Sequence, residues 1–254
     1  MPVRCIGIGV SSGREKVIQS VLQAGVGAEV IVYCEPGGLG GAPSIPVRED
    51  PRPGEALVKD LYGGSIDAAV RGTLPSGTTL RVLKQAAGVT HLERAALIEL
   101  DTGRKFLLAP VGIDEGWTVA GKVAMARRAK ELATTLGLEG EVGILSGGRL
   151  NDAGRHPRVD ETLAQAELVA RLTGFHHYEI LIEEAAKECS VIIAPDGISG
   201  NLIFRTLALL GNARGHGAPV MNIDRVFIDT SRASPDYANA LRLAEMLAGK
   251  RKNR

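Results

Sequence analysis

The 254-residue chain has little cysteine, no surplus of either charge, no long apolar run and no histidine in a metal-ligand spacing, and each shortage removes a class of protein. Its three cysteines, Cys5, Cys34 and Cys189, are an odd set without a CxxC spacing and lie in strand-like runs. That argues against a disulfide-stapled secreted domain and for reduced, buried thiols in a cytoplasmic protein. Thirty basic against 29 acidic side chains leave a net charge of +1, so no whole-molecule field recruits nucleic acid or an acidic membrane. Any anion must be held locally. No apolar stretch approaches the roughly 18 residues of a membrane span, and the N-terminus lacks a basic-then-apolar signal pattern. The expectation is a soluble protein. His91, His156 and His216 lack ligand spacing, and adjacent His176 and His177 face opposite ways on a strand, so no protein-built metal site is expected. The terminal Lys250-Arg251-Lys252-Asn253-Arg254 reads as a frayed, solvated end rather than a nucleic-acid patch.

What is present is 44% hydrophobic residues, arranged in alternating strand-like and helix-like runs. That alternation is the pattern of an α/β protein with a mainly parallel sheet. A strand over 3–8, a helix over 14–24 and a strand over 28–34 ending at Glu35 make a first βαβ unit. Residues 36–53, with five prolines and four glycines, read as a loop. A helix over 57–61, a strand over 66–70 and a helix over 78–87 follow. Strands over 95–100 and 105–109 flank Asp101-Thr102-Gly103, a hairpin signal that opens a second lobe. Beyond it come a helix over 118–136, a strand over 141–145, a loop over 146–156, a helix over 160–173, a strand over 178–182 and a helix over 183–188. Ser190 to Ala194 is a buried strand, 226–228 another, and a helix over 235–248 closes the chain. The domain reading is 1–93 with 224–254 for one lobe and 94–223 for the other.

Five constellations carry candidate chemistry. In Pro195-Asp196-Gly197-Ile198-Ser199-Gly200-Asn201 an acid ends a strand, glycines turn the chain, and a helix begins through Leu202, Ile203, Leu207 and Leu210. A helix N-terminus beyond the carboxyl end of a parallel strand is a place for phosphate or carboxylate. Gly7, Gly9 and Gly13 after the first strand, with Glu35 after the second, fit either a tight turn or a dinucleotide or S-adenosylmethionine loop. Arg71-Gly72-Thr73 leaves a strand end, where arginine grips an anion or makes a surface ion pair. Ser146-Gly147-Gly148-Arg149 is either an anion nest, with Arg149 or Arg155 adding charge, or a plain loop. Asp229-Thr230-Ser231-Arg232-Ala233-Ser234-Pro235-Asp236 sets a hydroxyl, a guanidinium and carboxylates in one turn, able to hold an oxyanion and accept a proton. Ser234 reads as the cap and Pro235 as the first residue of the last helix. Trp117 is expected to be half-buried packing.

In this order, IDAAVRG, the VGILSGG strand, PDGISGN and the SR pair followed by Asp236 resemble the phosphate acetyl- and butyryltransferase superfamily. Within it the chain is similar to the methanogenesis marker protein 4 (MtxX) family, which carries GIG near its N-terminus and PDGxxGN and bears a methyltransferase label without an established reaction. The resemblance implies two Rossmann-like lobes with a cleft, of isocitrate/isopropylmalate dehydrogenase-like architecture, and a homodimer formed through the second lobe. It puts Ser231 and Arg232 at an acyl or phosphate group, makes Asp236 the base, and gives Arg71, Gly72, Ser146, Gly147, Asp196, Gly200 and Asn201 to an anionic substrate. The short spacing from Arg232 to the acid departs from true acetyltransferases. Three readings follow: a methyltransferase with an S-adenosylmethionine or corrinoid donor, the first served by Gly7, Gly9 and Glu35; an acyl phosphate/coenzyme A acyltransferase; and a non-catalytic partner of a methanogenesis enzyme.

Overall fold

The computed structural model describes residues 5–38 and 45–252. The chain divides into two compact units, Met1–Leu92 with His216–Arg254, and Glu93–Gly215. Each is an α/β unit built on a six-stranded mixed sheet.

The first unit orders its strands Ala218–Pro219, Val226–Asp229, Ala68–Val70, Cys5–Gly9, Glu29–Cys34 and Val47–Glu49. All neighbours run parallel except the first pair. The central strands Ala68–Val70 and Val226–Asp229 are short and buried at every residue, as a sheet covered on both faces requires. Helices Pro53–Gly63 and Ser76–Ala87 pair, and Leu57, Leu61, Leu74 and Leu83 are fully buried with Tyr33 and Phe227. Each such leucine contributes roughly 1.5–3 kcal/mol by burial. Helices Arg14–Ala24 and Ala238–Lys252 form a second pair.

The second unit orders Arg214–Gly215, Ala96–Glu99, Lys105–Ala109, Cys189–Ile193, Glu141–Ile144 and His176–His177. The hairpin closes at Asp101-Thr102-Gly103, with Gly103 at φ 82°. Every residue of Cys189–Ile193 is buried, with parallel neighbours on both sides. Helices Val119–Leu136 and Pro157–Thr173 pair, and Thr118 caps the first by accepting the Gly121 N–H.

Four expectations are corrected. The run 36–53 contains the strand Val47–Glu49, which the Val32 N–H to Pro46 carbonyl bond and the Asp50 N–H to Cys34 carbonyl bond register on the sheet edge. All three residues are exposed, so no alternation marks the strand. Its residues 39–44 lie outside the described chain. The strand over 178–182 is absent: pairing stops at His177, Tyr178 enters a turn, and Glu179 sits at φ 55°. The closing helix starts at Ala238, not Pro235. Finally, it runs to Lys252, whose ammonium pairs with Asp67 at 2.6 Å, so the basic end is docked that far; Asn253 and Arg254 lie outside the described residues.

No described helix is long and apolar enough to cross a membrane. Cys34 and Cys189 are buried, and burial pushes both thiols up from the ordinary range. An alkylating reagent at mild pH is therefore expected to modify half-buried Cys5 in the native protein and the other two only after unfolding, as peptide mass spectrometry will reveal. Native labelling of Cys34 or Cys189 at the Cys5 rate would contradict this burial.

Candidate functional site

In the first unit the candidate site is organised where strands Ala68–Val70 and Val226–Asp229 end side by side. Arg71, 5% exposed, leaves the first strand and turns its guanidinium inward. It donates to the Asp229 carboxylate and to the carbonyls of Leu74 and Thr230. A surface ion pair is thus replaced by a buried one, and the guanidinium shapes the turn instead of facing an anion. Gly72 lies at φ 60° because a Cβ there would fall 2.0 Å from the Gly9 carbonyl oxygen, and its own carbonyl accepts the Thr230 hydroxyl at 2.9 Å.

The turn after Asp229 rests on that base. Ser231 Oγ accepts the Ala233 N–H at 3.2 Å, and its carbonyl accepts the Ser234 N–H and the Tyr237 hydroxyl. Lys16 Nζ, from helix Arg14–Ala24, donates to the carbonyls of Arg232 and Ser234 at 3.0 and 2.8 Å and lies 5.0 Å from the Tyr237 ring centre. Ser20 Oγ accepts the Tyr237 N–H. These bonds hold 232–237 outside helical geometry, so Ser234 and Pro235 do not start the helix; Asp236 accepts the Ala238 N–H at 3.0 Å instead. Burial pushes the Tyr237 hydroxyl up to about 12, Arg71 and Arg232 pull it down, and Asp236 raises it. Those three charges therefore lie within electrostatic reach of one phenol. Arg232 and Asp236 are exposed.

The first glycine loop is closed on itself. Thr73 Oγ1 accepts the N–H groups of Ser11 and Ser12 at 3.0 and 3.2 Å and donates to the Ser12 carbonyl, while Ser11 Oγ donates to the Thr73 carbonyl. The Ser11 and Ser12 N–H groups, two of the donors such a loop offers a pyrophosphate, are thus already occupied. The glycines answer to packing: a Cβ on Gly7 would meet Leu57, Ile66 and Tyr33 within 3 Å, and one on Gly9 would meet Leu74 at 2.0 Å. Glu35 is exposed, and its carbonyl accepts the Gly38 N–H.

In the second unit, Asp196 caps helix Gly197–Arg205 by accepting the Ser199 N–H and hydroxyl at 2.8 and 3.0 Å. A Cβ on Gly197 would fall 1.6 Å from the Gly112 carbonyl oxygen and one on Gly200 1.9 Å from that of Pro110, and Asn201 donates to the Val111 carbonyl. The PDGxxGN motif therefore seats a helix start against the Pro110–Gly112 backbone. The helix passes into a wider turn over Thr206–Leu210, with Leu202 and Leu210 exposed. Asp196 also faces Arg158 at 3.9 Å, whose guanidinium stands 5.9 Å from the ring of half-exposed Trp117. Lys122, almost fully buried, donates to Gln165 at 2.6 Å; burial pulls its ammonium down from the usual range, and Asp196 opposes that.

The Ser146 loop is likewise no open nest. The N–H groups of Ser146, Gly147, Arg149 and Leu150 go to the Glu179 carbonyl, Thr162 Oγ1, the Asp152 carboxylate and the Glu179 carboxylate. Arg155 pairs with Asp152 at 2.6 Å. Lys16, Tyr237 and Glu179 escaped sequence reasoning, since none stands in a recognisable motif, and Thr73 entered it only as the hydroxyl beside Arg71. Among the described residues no three His, Cys, Asp or Glu side chains group as a metal site.

No family model matches the sequence. A protein of Methanosarcina mazei named "Putative methyltransferase mtx subunit X" is 43% identical over 260 residues, covering 98% of this chain and 92% of its own. The protein of the same name from Methanosarcina acetivorans is 49% identical over 207 residues, covering 80% and 74%. An "Uncharacterized methyltransferase" of Methanopyrus kandleri is 42% identical over 251 residues, covering 94% and 96%. Among solved structures, a branched-chain phosphotransacylase from Enterococcus faecalis superposes with TM-score 0.75 at 18% identity, covering 96% of this chain and 99% of that one. A phosphotransacetylase from Streptococcus pyogenes gives 0.72 at 16%, covering 99% and 95%. These likenesses establish a phosphotransacetylase-like α/β fold.

Thr73→Val removes the acceptor shared by Ser11 and Ser12 and is expected to cost about 1–3 kcal/mol in urea unfolding. Exposed Thr78→Val should stay within about 0.5 kcal/mol. Equal effects would mean that Thr73 does not hold the glycine loop.

Proposed function

Because this chain belongs to the family of the mtx subunit X proteins, we propose that it is a small-group transferase whose anionic substrate or cofactor is anchored at Ser231 and Arg232. The methyltransferase names of its relatives and the phosphotransacetylase-like fold both support transfer chemistry. One observation carries the assignment to this turn: Arg232 is exposed and its guanidinium has no partner among the described residues, while the backbone beneath it is fixed by Lys16 and Arg71. A charge presented on a rigid, pre-shaped turn binds an oxyanion without reorganising.

The roles then divide by exposure. Arg232 takes the anion, the Ser231 hydroxyl donates to it, and Asp236, one oxygen held by the Ala238 N–H, accepts a proton with the other. Arg71 is a positioning residue, sealed under the turn. In the second unit Asp196, Gly200 and Asn201 shape a helix start, and the exposed Arg158 beside Asp196 offers a second charge. Gly7, Gly9 and Glu35 are left without a cofactor role in this reading, the N–H groups of Ser11 and Ser12 being bound to Thr73. The isocitrate/isopropylmalate dehydrogenase-like arrangement, a homodimer and a cytoplasmic location are parts of this proposal.

A second reading, acyl transfer between an acyl phosphate and a coenzyme A-like thiol, is favoured by the fold. There the thiol would lose its proton to Asp236 and attack the acyl carbon, and phosphate would leave on Arg232.

Inorganic phosphate, coenzyme A and S-adenosylmethionine are to be tested separately by thermal unfolding. At 100 times its Kd a ligand of the native state adds about 2.7 kcal/mol. Phosphate or coenzyme A stabilisation that disappears in Arg232→Ala, with its fold intact, is the expected result. Stabilisation that survives Arg232→Ala, or none by any of the three, would remove the anchor. Stabilisation by S-adenosylmethionine alone would favour methyl transfer over acyl transfer.

A further inference from the structure

His177 links three elements of the second unit. Its Nδ1 lies 2.7 Å from Glu167 Oε1 on helix Pro157–Thr173, and its Nε2 lies 2.9 Å from Ser146 Oγ, at the end of strand Glu141–Ile144. Ser146 Oγ in turn lies 2.8 Å from the Gly148 carbonyl oxygen. The order serine, histidine, carboxylate is that of an activated nucleophile. Two facts turn it away from that use. Ser146 is 2% exposed, and the neighbouring Gly147 N–H, which would face an oxyanion, is bound to Thr162 at 2.9 Å.

Counting protons gives a different role. A serine hydroxyl has one proton, a neutral imidazole one, and an imidazolium two. With a neutral ring protonated on Nδ1, the hydroxyl must donate to Nε2, and the two oxygens of Ser146 and Gly148 then face each other at 2.8 Å without a proton. With the proton on Nε2 instead, the bare Nδ1 faces a carboxylate at 2.7 Å. Only the imidazolium satisfies all three contacts: Nδ1–H to Glu167, Nε2–H to Ser146 Oγ, and the hydroxyl to Gly148. The other charged groups nearby do not compete for the ring. Glu179 is engaged with the Leu150 N–H, Glu141 stands at the far end of the paired strand, and the His176 ring packs edge-on against Tyr178 at 4.7 Å.

We propose that charged His177 is a proton-held pin that fixes the Ser146–Leu150 loop to helix Pro157–Thr173, and that loss of its proton releases the loop. Glu179, the one described non-glycine residue at positive φ, clamps the same loop by its carbonyl on the Ser146 N–H and its carboxylate on the Leu150 N–H. The strained turn thus holds the loop's two ends, and the histidine holds the Ser146 hydroxyl that reaches its middle at the Gly148 carbonyl. Neutral His177 leaves the Gly148 carbonyl or Glu167 facing a lone pair, so the closed loop is favoured with the proton on the ring and loosened when it leaves. This inference stands independently of the transferase reading.

The test uses the full-length protein. Long-range 1H–15N spectra of histidine-labelled protein report the charge of His177, identified by its loss in His177→Gln, and hydrogen exchange, corrected for intrinsic rate, reports the loop over 146–150. The expected result is both ring nitrogens protonated while the loop is protected, with protection falling about tenfold as the ring is neutralised. His177→Gln should abolish that pH dependence while leaving the thermal transition cooperative. A singly protonated ring at the acid end with a protected loop, or protection unchanged on neutralisation, would overturn the pin. Should His177→Gln not fold, Glu167→Gln, at an exposed partner, supplies the comparison: it should lower the pH at which the ring loses its proton, and no change would count against the proposal.

Discussion

A guanidinium shut into the end of a parallel sheet sets the form of the first unit. Arg71 joins the end of one strand to Asp229 at the end of the next and fills the carbonyls of Leu74 and Thr230. A buried ion pair gains little over an apolar pair, yet removing one partner costs about 3–5 kcal/mol because the other charge is stranded. What the pair supplies here is direction. With Thr230 hydrogen-bonded to Gly72, the chain after the strand can leave only along the path that presents Ser231, Arg232 and Asp236.

The two glycine-rich loops resolve differently from the turn, and backbone hydrogen bonding explains why. A loop binds phosphate only with N–H groups that have no partner. Thr73 occupies those of Ser11 and Ser12, and Glu179 with Thr162 occupies those of Ser146, Gly147 and Leu150. In both loops a side chain from a neighbouring element replaces the anion. The proposed function therefore rests on side chains that stand outside these closed circuits, foremost Arg232.

Much of the fold was legible because it is written locally. Helix Arg14–Ala24 is read to the residue, between glycines at φ 59° and 60°. The hairpin follows from Asp101-Thr102-Gly103, and the buried strand at Cys189–Ile193 from its unbroken apolar run. The misread parts depend on distant partners. Val47–Glu49 is a strand because an edge was available, not because of its exposed side chains. The last helix begins late because Lys16 and Ser20 hold the preceding backbone. For the candidate site, the turn stands out in the sequence but the state of its members does not. Arg71 and Asp229 are 158 residues apart, so whether that guanidinium faces solvent or an acid is invisible until the strands are adjacent. His177 looked inert for the same reason, its two partners lying 10 and 31 residues away.

The proposal assigns anion binding to the Ser231–Asp236 turn and not to the glycine loops. The most direct measurement is a crystal structure of the protein grown with coenzyme A or inorganic phosphate. Phosphate density is expected on the Arg232 guanidinium and the Ser231 hydroxyl, with Thr73 still bonded to Ser11 and Ser12. Density cradled by the Ser11 and Ser12 N–H groups, with Thr73 displaced, would contradict it.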